Sequence, residues 1–149
     1  MNSEESIFVI GIVGGSGSGK TLITHEIIKR LKSSSLSKIA VISEDRYYKD
    51  WGNLVGQEEA AKINYDHPDA FDHELLREHL STLINHGESV KVPHYDYSTH
   101  SRVHEKSQNV KAGVNVIILE GIMLYVYGTV DLASQELTRC FRFPVVVLN

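Results

Sequence analysis

Between a β-branched apolar run at residues 7–13 (IFVIGIV) and a helix-period segment at residues 21–32 stands the string GGSGSGKT, residues 14–21. It fits G-x-x-x-x-G-K-[ST] without a mismatch, and its placement matters as much as its letters. A short apolar run ending in glycines reads as a strand buried on both faces. Leu22, Ile23, Ile27, Ile28 and Leu31 fall on one side of a helix, with Lys29, Arg30 and Lys32 near its C-terminal end, where cations suit the dipole. A glycine-rich turn from such a strand into such a helix is a phosphate loop. Gly14, Gly15, Gly17 and Gly19, with Ser16 and Ser18, let successive N–H groups curl inward onto phosphate oxygens. The helix start adds its positive end. Lys20 supplies a point cation for the β- and γ-phosphates, and the Thr21 hydroxyl suits Mg²⁺. The bland alternative is a flexible Gly/Ser turn. A dinucleotide-binding G-x-G-x-x-G fails on spacing, because its third glycine, counted from Gly15, would fall at Lys20.

Residues 38–43 (KIAVIS) give a second short apolar strand. Strand, helix and strand at this spacing make a βαβ unit, so a parallel sheet flanked by helices, of the P-loop type, is expected. Residues 44–51 read as a polar, aromatic-rich loop and 57–62 as a short helix. Residues 69–86 read as a longer helix, capped by Asp69 or Asp72, striped by Leu75, Leu76, Leu80, Leu83 and Ile84, and stopped by Gly87. Residues 89–93 and 107–112 look like two short strands flanking a Tyr- and His-rich loop. A third buried strand covers 114–119 (VNVIIL), and 141–148 can form one more.

The 149 residues suit one domain. A net charge of −4 argues against a nucleic-acid partner, which needs a basic footprint. The lone cysteine, Cys140, suits a reducing compartment. Residues 1–6 lack a signal peptide's basic and apolar regions, and no apolar run approaches the roughly 18 residues of a membrane span. A cytoplasmic chain with no membrane partner is expected.

Two carboxylates stand at strand ends, the rim where open α/β sheets bind ligands. Asp45 follows the second strand and can orient an attacking hydroxyl and accept its proton. Its neighbour Glu44 is a rival for that role. On an extended stretch the two would point to opposite sides, and both can also be plain loop acids. Glu120, after V-I-I-L, suits the magnesium side of a phosphate site or a water-facing strand end. The insert at 93–104 (PHYDYSTHSRVH) invites a zinc reading, but the chain has no C-x-x-C and no H-E-x-x-H. Tyr faces with His and Arg edges suit a nucleobase and its sugar, against the alternative of a hairpin packed on the core.

Taken together, GGSGSGKT, SEDRYYKD (43–50), NYDHPDAFD (64–72), PHYDYSTHSR (93–102) and ILEGIM (118–123) resemble the uridine/cytidine kinase family in order and spacing from about residue 7 to 124. The resemblance implies ATP or GTP as donor, Mg²⁺, and a uridine or cytidine 5′-hydroxyl as acceptor in pyrimidine salvage. It implies Asp45 as catalytic base near the metal, Lys20 as catalytic cation, and Thr21 and Glu120 as metal-side residues. Asp66 becomes a ribose-hydroxyl ligand, Tyr95 and His100 readers of the pyrimidine edge, and Tyr48 a wall of the nucleoside pocket under a β-hairpin insert. Arg102 matches the family string on the substrate side. A homotetramer is expected of the full-length family. Residues 125–149 depart from the pattern: no arginine-rich lid is recognisable, and Arg139 and Arg142, though three apart, come too early to be assigned to one. The expectation is one P-loop kinase domain that stops short of the family's length. Its rivals are another small-molecule kinase of phosphoribulokinase or pantothenate kinase build, and a nucleotide-binding remnant without turnover.

Overall fold

The computed structural model describes residues 7–32, 38–124 and 145–148. Its centre is a four-stranded sheet of β1 (Phe8–Gly14), β2 (Ile39–Ser43), β7 (Val116–Gly121) and β8 (Val145–Leu148), in the order β2-β7-β1-β8. All three pairings are parallel. The expected parallel sheet is present, but β1 and β2 are not neighbours. β7 lies between them, so the helix after β1 crosses over a strand that comes much later in the chain. The register aligns Ser43 with Glu120 and Glu120 with Ile12. The carboxyl ends of the three strands therefore meet at one rim, which carries the phosphate loop, the turn after β2 and the exit of β7.

Strand alternation sends side chains to two apolar layers. α1 (Lys20–Lys32) covers one face: Ile23, Ile27, Ile28 and Leu31 pack on Ile10, Ile12, Val116 and Ile118. On the other face α4 (His73–Ser81) brings Leu76 and Leu80, with Leu83 just beyond it, against Val9, Val13, Ile42, Ile117 and Leu119. Full burial of such side chains contributes about 1.5–3 kcal/mol each. A hairpin of β3 (Val90–Val92) and β6 (Gln108–Val110) packs its valines on the same layer. Nested inside it is a second hairpin, β4 (Tyr95–Asp96) with β5 (Ser101–Arg102). Two short helices, α2 (Trp51–Val55) and α3 (Gln57–Ala60), precede them.

Several expectations need correction. Leu22 does not belong to the apolar side of α1, being 71% exposed. At 100° per residue the packed face is centred between Ile27 and Leu31, which places Leu22 almost opposite. The helix expected from residue 69 begins at His73. Residues Pro68–Ala70 form a separate 3₁₀ turn, and Asp72 is the cap, accepting from Leu75 N–H at 3.1 Å. The end of that segment, Thr82–His86, is a π-turn closed by Gly87 in the left-handed region, φ +62°. Residues 44–51 are not a plain loop: Glu44–Tyr47 forms a 3₁₀ turn and α2 starts at Trp51. Of the strand expected over 141–148, Val145–Leu148 is present; residues 141–144, like Arg139, lie outside the described residues.

Candidate active site

The phosphate loop leaves the buried end of β1 and enters α1 at Lys20. Gly17 and Gly19 have φ of +77° and +91°, a region where side chains with a Cβ are strained. Gly15, Ser16, Gly17 and Gly19 are exposed, and Gly14 is buried. Lys20 Nζ folds back over the loop, donating to the Gly14 carbonyl at 2.7 Å and the Gly15 carbonyl at 2.8 Å. Ser18 Oγ is buried and has no hydrogen-bond partner among the described residues. An orphaned hydroxyl of this kind in a cradle of N–H groups fits an anion with several acceptor oxygens. Thr21 is exposed on the first turn of α1.

At the same rim the 3₁₀ turn separates the two rival acids. Glu44 turns inward and is 0% exposed, accepting from Ile122 N–H and Met123 N–H at 2.8 Å each and from His73 Nε2–H at 2.7 Å. Asp45 stays half-buried beside the phosphate loop. Burial pushes its carboxyl above the usual carboxylate range; the Glu44 and Glu120 charges add to the rise, and Lys20 opposes it. Glu120, half-buried at the end of β7, accepts from Thr24 Oγ1 at 2.9 Å, which ties strand to helix. Asp45 thus stands within reach of the charges of both Lys20 and Glu120. Among the described residues no three His, Cys, Asp or Glu side chains converge as a metal cage. The donors at the rim are a hydroxyl and two carboxylates. Such a set fits Mg²⁺, which commonly takes one or two carboxylates and completes its shell with phosphate oxygens and water.

Next to Asp45 lies an aromatic cluster. Tyr48 stacks on Phe71 (4.2 Å between centroids) and meets Tyr65 and Tyr95 at 5.2 Å each. Tyr97 crosses Tyr48 and Tyr95 edge-on at 6.1 and 5.3 Å. Burial pushes the Tyr48 and Tyr97 phenols up, and the Asp45 charge adds to both rises, so the cluster stands beside the carboxylate. These hydroxyls stay protonated donors at neutral pH. Tyr95 is buried, and its hydroxyl donates to Tyr65 Oη at 3.4 Å. Asp66 is exposed, with its charge felt by Tyr48.

His100 occupies the β4–β5 turn at φ +52°, an unusual conformation for a residue with a side chain. α2 holds that turn from below: Gly52 N–H donates to the His100 carbonyl at 2.7 Å, and a Cβ at Gly52 would run into Ser101 Oγ and the Thr99 carbonyl. Tyr65 Oη donates to the Ala60 carbonyl at 3.0 Å and lies 2.8 Å from His100 Nδ1. With the phenol's one hydrogen on Ala60, Oη accepts from Nδ1–H, and His100 Nε2 keeps its lone pair as an acceptor.

Arg102 faces inward. Its Nε donates to the Tyr48 carbonyl at 3.0 Å and its Nη2 to Asp72 Oδ2 at 3.1 Å, while its backbone N–H donates to Asp50 Oδ1 at 3.0 Å. It ties the hairpin to the Tyr48 segment and to the cap of α4. Sequence reasoning passed over Tyr65, Tyr97, Thr24 and His73. Tyr65 and Tyr97 stood inside the quoted strings NYDHPDAFD and PHYDYSTHSR as unassigned aromatics; nothing in the sequence paired Thr24 with Glu120 or His73 with Glu44.

The sequence model of the Phosphoribulokinase / Uridine kinase family matches residues 9–136. The chain is 48% identical over 124 residues to the uridine kinase of Aliivibrio fischeri (strain MJ11), covering 83% of this chain and 56% of that protein. It is 46% identical over 125 residues to that of Shewanella amazonensis, covering 83% and 57%. The chain therefore spans a little over half the length of these curated relatives. Among solved structures, that of "a Possible Uridine Kinase from Bacillus stearothermophilus" superposes with a TM-score of 0.60 at 24% identity, covering 84% of this chain and 65% of that one. This last likeness bears on the fold alone.

Proposed function

Because this chain belongs to the Phosphoribulokinase / Uridine kinase family, we propose that it moves the γ-phosphoryl group of ATP or GTP to the 5′-hydroxyl of uridine or cytidine, giving UMP or CMP. The family is compatible with several acceptors, so the acceptor must be argued from the site. The observation that carries it is the aromatic cluster of Tyr48, Tyr65, Tyr95 and His100 beside Asp45. A base can stack against such flat rings, and Tyr95 with His100 would face a pyrimidine edge that a sugar phosphate or pantothenate lacks. Tyr48 is the pocket wall, and Asp66 binds a ribose hydroxyl. Arg102 serves the substrate by fixing the Tyr48 backbone.

The loop N–H groups of Gly15 to Gly19 and Lys20 hold the triphosphate. Asp45 accepts the proton of the 5′-hydroxyl as its oxygen bonds to the γ-phosphorus and the bond to the departing nucleoside diphosphate breaks. A carboxyl raised by burial is a stronger base than a solvated one, which suits that task. Thr21, Asp45 and Glu120 would hold Mg²⁺, whose charge offsets that of the phosphates. Positioning and charge stabilisation supply most of the acceleration.

We read residues 1–149 as one domain of an enzyme of pyrimidine salvage in the cytoplasm, with the family's tetramer as its assembly. No described helix is long and apolar enough to cross a membrane. The test is product formation from ATP, Mg²⁺ and a panel of nucleosides. Uridine and cytidine are expected to react and purine nucleosides to be refused, since an edge left unpaired is costly. His100→Ala should raise KM for uridine far more than for ATP. Adenosine reacting as well as uridine would overturn the pyrimidine reading. ATP binding with no product from any nucleoside would leave nucleotide binding alone.

A further inference from the structure

Glu44 is wholly buried, yet the transfer reaction assigns it nothing. Its carboxylate is met by three donors from two other elements. Ile122 and Met123 N–H, from the exit of β7, share Oε2 at 2.8 Å each; His73 Nε2–H, from the first residue of α4, takes Oε1 at 2.7 Å. A carboxylate survives burial only when its lone pairs are satisfied in this way. Gly121 makes the approach possible: a Cβ there would run into the Glu44 carboxylate and Cβ. Glu44 is one residue before Asp45 in the chain, and its hydrogen-bond partner Ile122 is two residues after Glu120. Its side chain therefore adds a second link between the two acids at the rim, beyond the strand pairing of Ser43 with Glu120. The third arm leads elsewhere. His73 stacks on Phe71 at 5.4 Å, and Phe71 stacks on Tyr48 at 4.2 Å, so the clasp also abuts the aromatic cluster.

We propose that Glu44 is a positioning residue of this site: by clasping the exit of β7 to the turn after β2, with His73 as its outer arm, it sets where Asp45 and Glu120 stand relative to the phosphate loop. The inference rests on the phosphoryl-transfer reading for its effect on rate, and on geometry for its effect on metal-assisted nucleotide binding. Buried acids of this kind usually serve only to hold a fold, so the test must separate geometry from stability.

Two variants do that. Glu44→Gln keeps the clasp, because the amide oxygen accepts from Ile122 and Met123 while the NH₂ donates to His73 in its other tautomer. Glu44→Ala removes it. Each is compared with the unaltered chain at equal folded concentration, by kcat and KM for uridine and by calorimetric Kd for ATP with and without Mg²⁺. Glu44→Ala is expected to lower kcat on the order of 10²-fold, the cost of a displacement of about 1 Å. It should also lose the gain in ATP affinity that Mg²⁺ brings, with Mg²⁺-free ATP affinity within about threefold. Glu44→Gln should restore both to within about fivefold. Folded Glu44→Ala with ordinary kcat and ordinary Mg²⁺ dependence overturns the proposal, as does Gln no better than Ala. Should Glu44→Ala fail to fold, His73→Ala against His73→Gln, which keeps a donor at the Nε2 position, makes the same comparison. If the unaltered chain phosphorylates no nucleoside, the transfer reading fails, and the Mg²⁺ dependence of ATP affinity still judges the clasp. An unaltered chain with neither turnover nor Mg²⁺ dependence removes both.

Discussion

Tyr65 holds His100 in place: Oη stands 2.8 Å from Nδ1, and the two rings stack at 5.3 Å with 19° between their planes. The pair joins the segment before α4 to the tip of the inner hairpin, across 35 residues of chain. One phenol thereby orients the imidazole and selects the tautomer that leaves Nε2 free to accept. Tyr65→Phe keeps the stacking and deletes the hydrogen bond to His100, together with those to the Ala60 carbonyl and from Tyr95. The net worth of such a bond is about 1 kcal/mol, so KM for uridine should rise roughly fivefold to tenfold, with KM for ATP unchanged. Steady-state kinetics with each substrate varied in turn check this; an unaltered KM for uridine would remove Tyr65 from the site.

Asp45→Asn keeps the size of the side chain and removes the proposed base. It should lower kcat by roughly 10²–10⁴, the usual worth of a general base, with little change in nucleotide affinity. Turnover near that of the unaltered chain would take Asp45 out of the mechanism.

Gly121→Ala tests how tightly the clasp is packed. The added methyl meets the buried Glu44 carboxylate, which is itself pinned by three donors and cannot retreat. Overpacking of this kind costs about 1–3 kcal/mol. Urea unfolding should show a lower midpoint at an unchanged m-value. A midpoint equal to that of the unaltered chain would mean the turn yields freely.

His79 offers a pH-dependent contact remote from the chemistry. Its Nδ1 lies 3.0 Å from the hydroxyl of fully buried Tyr47. Burial pushes the imidazole below its ordinary value of 6.5 and the Tyr47 phenol up, so Tyr47 O–H donates to a neutral ring. A folded-state value below the unfolded one means that the unfolded chain binds more protons in that window. The stabilisation is then complete above pH 6.5 and is lost as pH falls through the lower folded value. Stability measured by denaturation from pH 8 to pH 5 should drop below about 6.5. His79→Asn, which can still accept at the Nδ1 position, should flatten that part of the curve. Parallel curves for the two proteins would show that another group is responsible.

Much of this was legible in the residues. A glycine-rich turn between a both-faces-buried strand and an amphipathic helix leaves few folds open, because the loop needs a strand to leave and a helix to enter. Short continuous apolar runs gave β1, β2 and β7, and the period-3.6 pattern gave α1 and the body of α4, to within a few residues. Their errors were local: Leu22 was placed by apolarity rather than by angle, and Asp69 competed with Asp72 for a cap that only one of them makes.

What the sequence could not decide was everything fixed by distance across the chain. It held Glu44 and Asp45 as rivals, because adjacent acids look alike until burial separates them. The fold resolved the pair by giving Glu44 the N–H groups of Ile122 and Met123, 78 and 79 residues away, and the imidazole of His73. It likewise placed β7 between β1 and β2, which set Glu120 beside Thr24 and brought the three strand ends to one rim. Local spacing records which way each side chain points along its own element. Which elements meet is decided by the sheet order and by the satisfaction of buried polar groups, and those are properties of the whole packed chain.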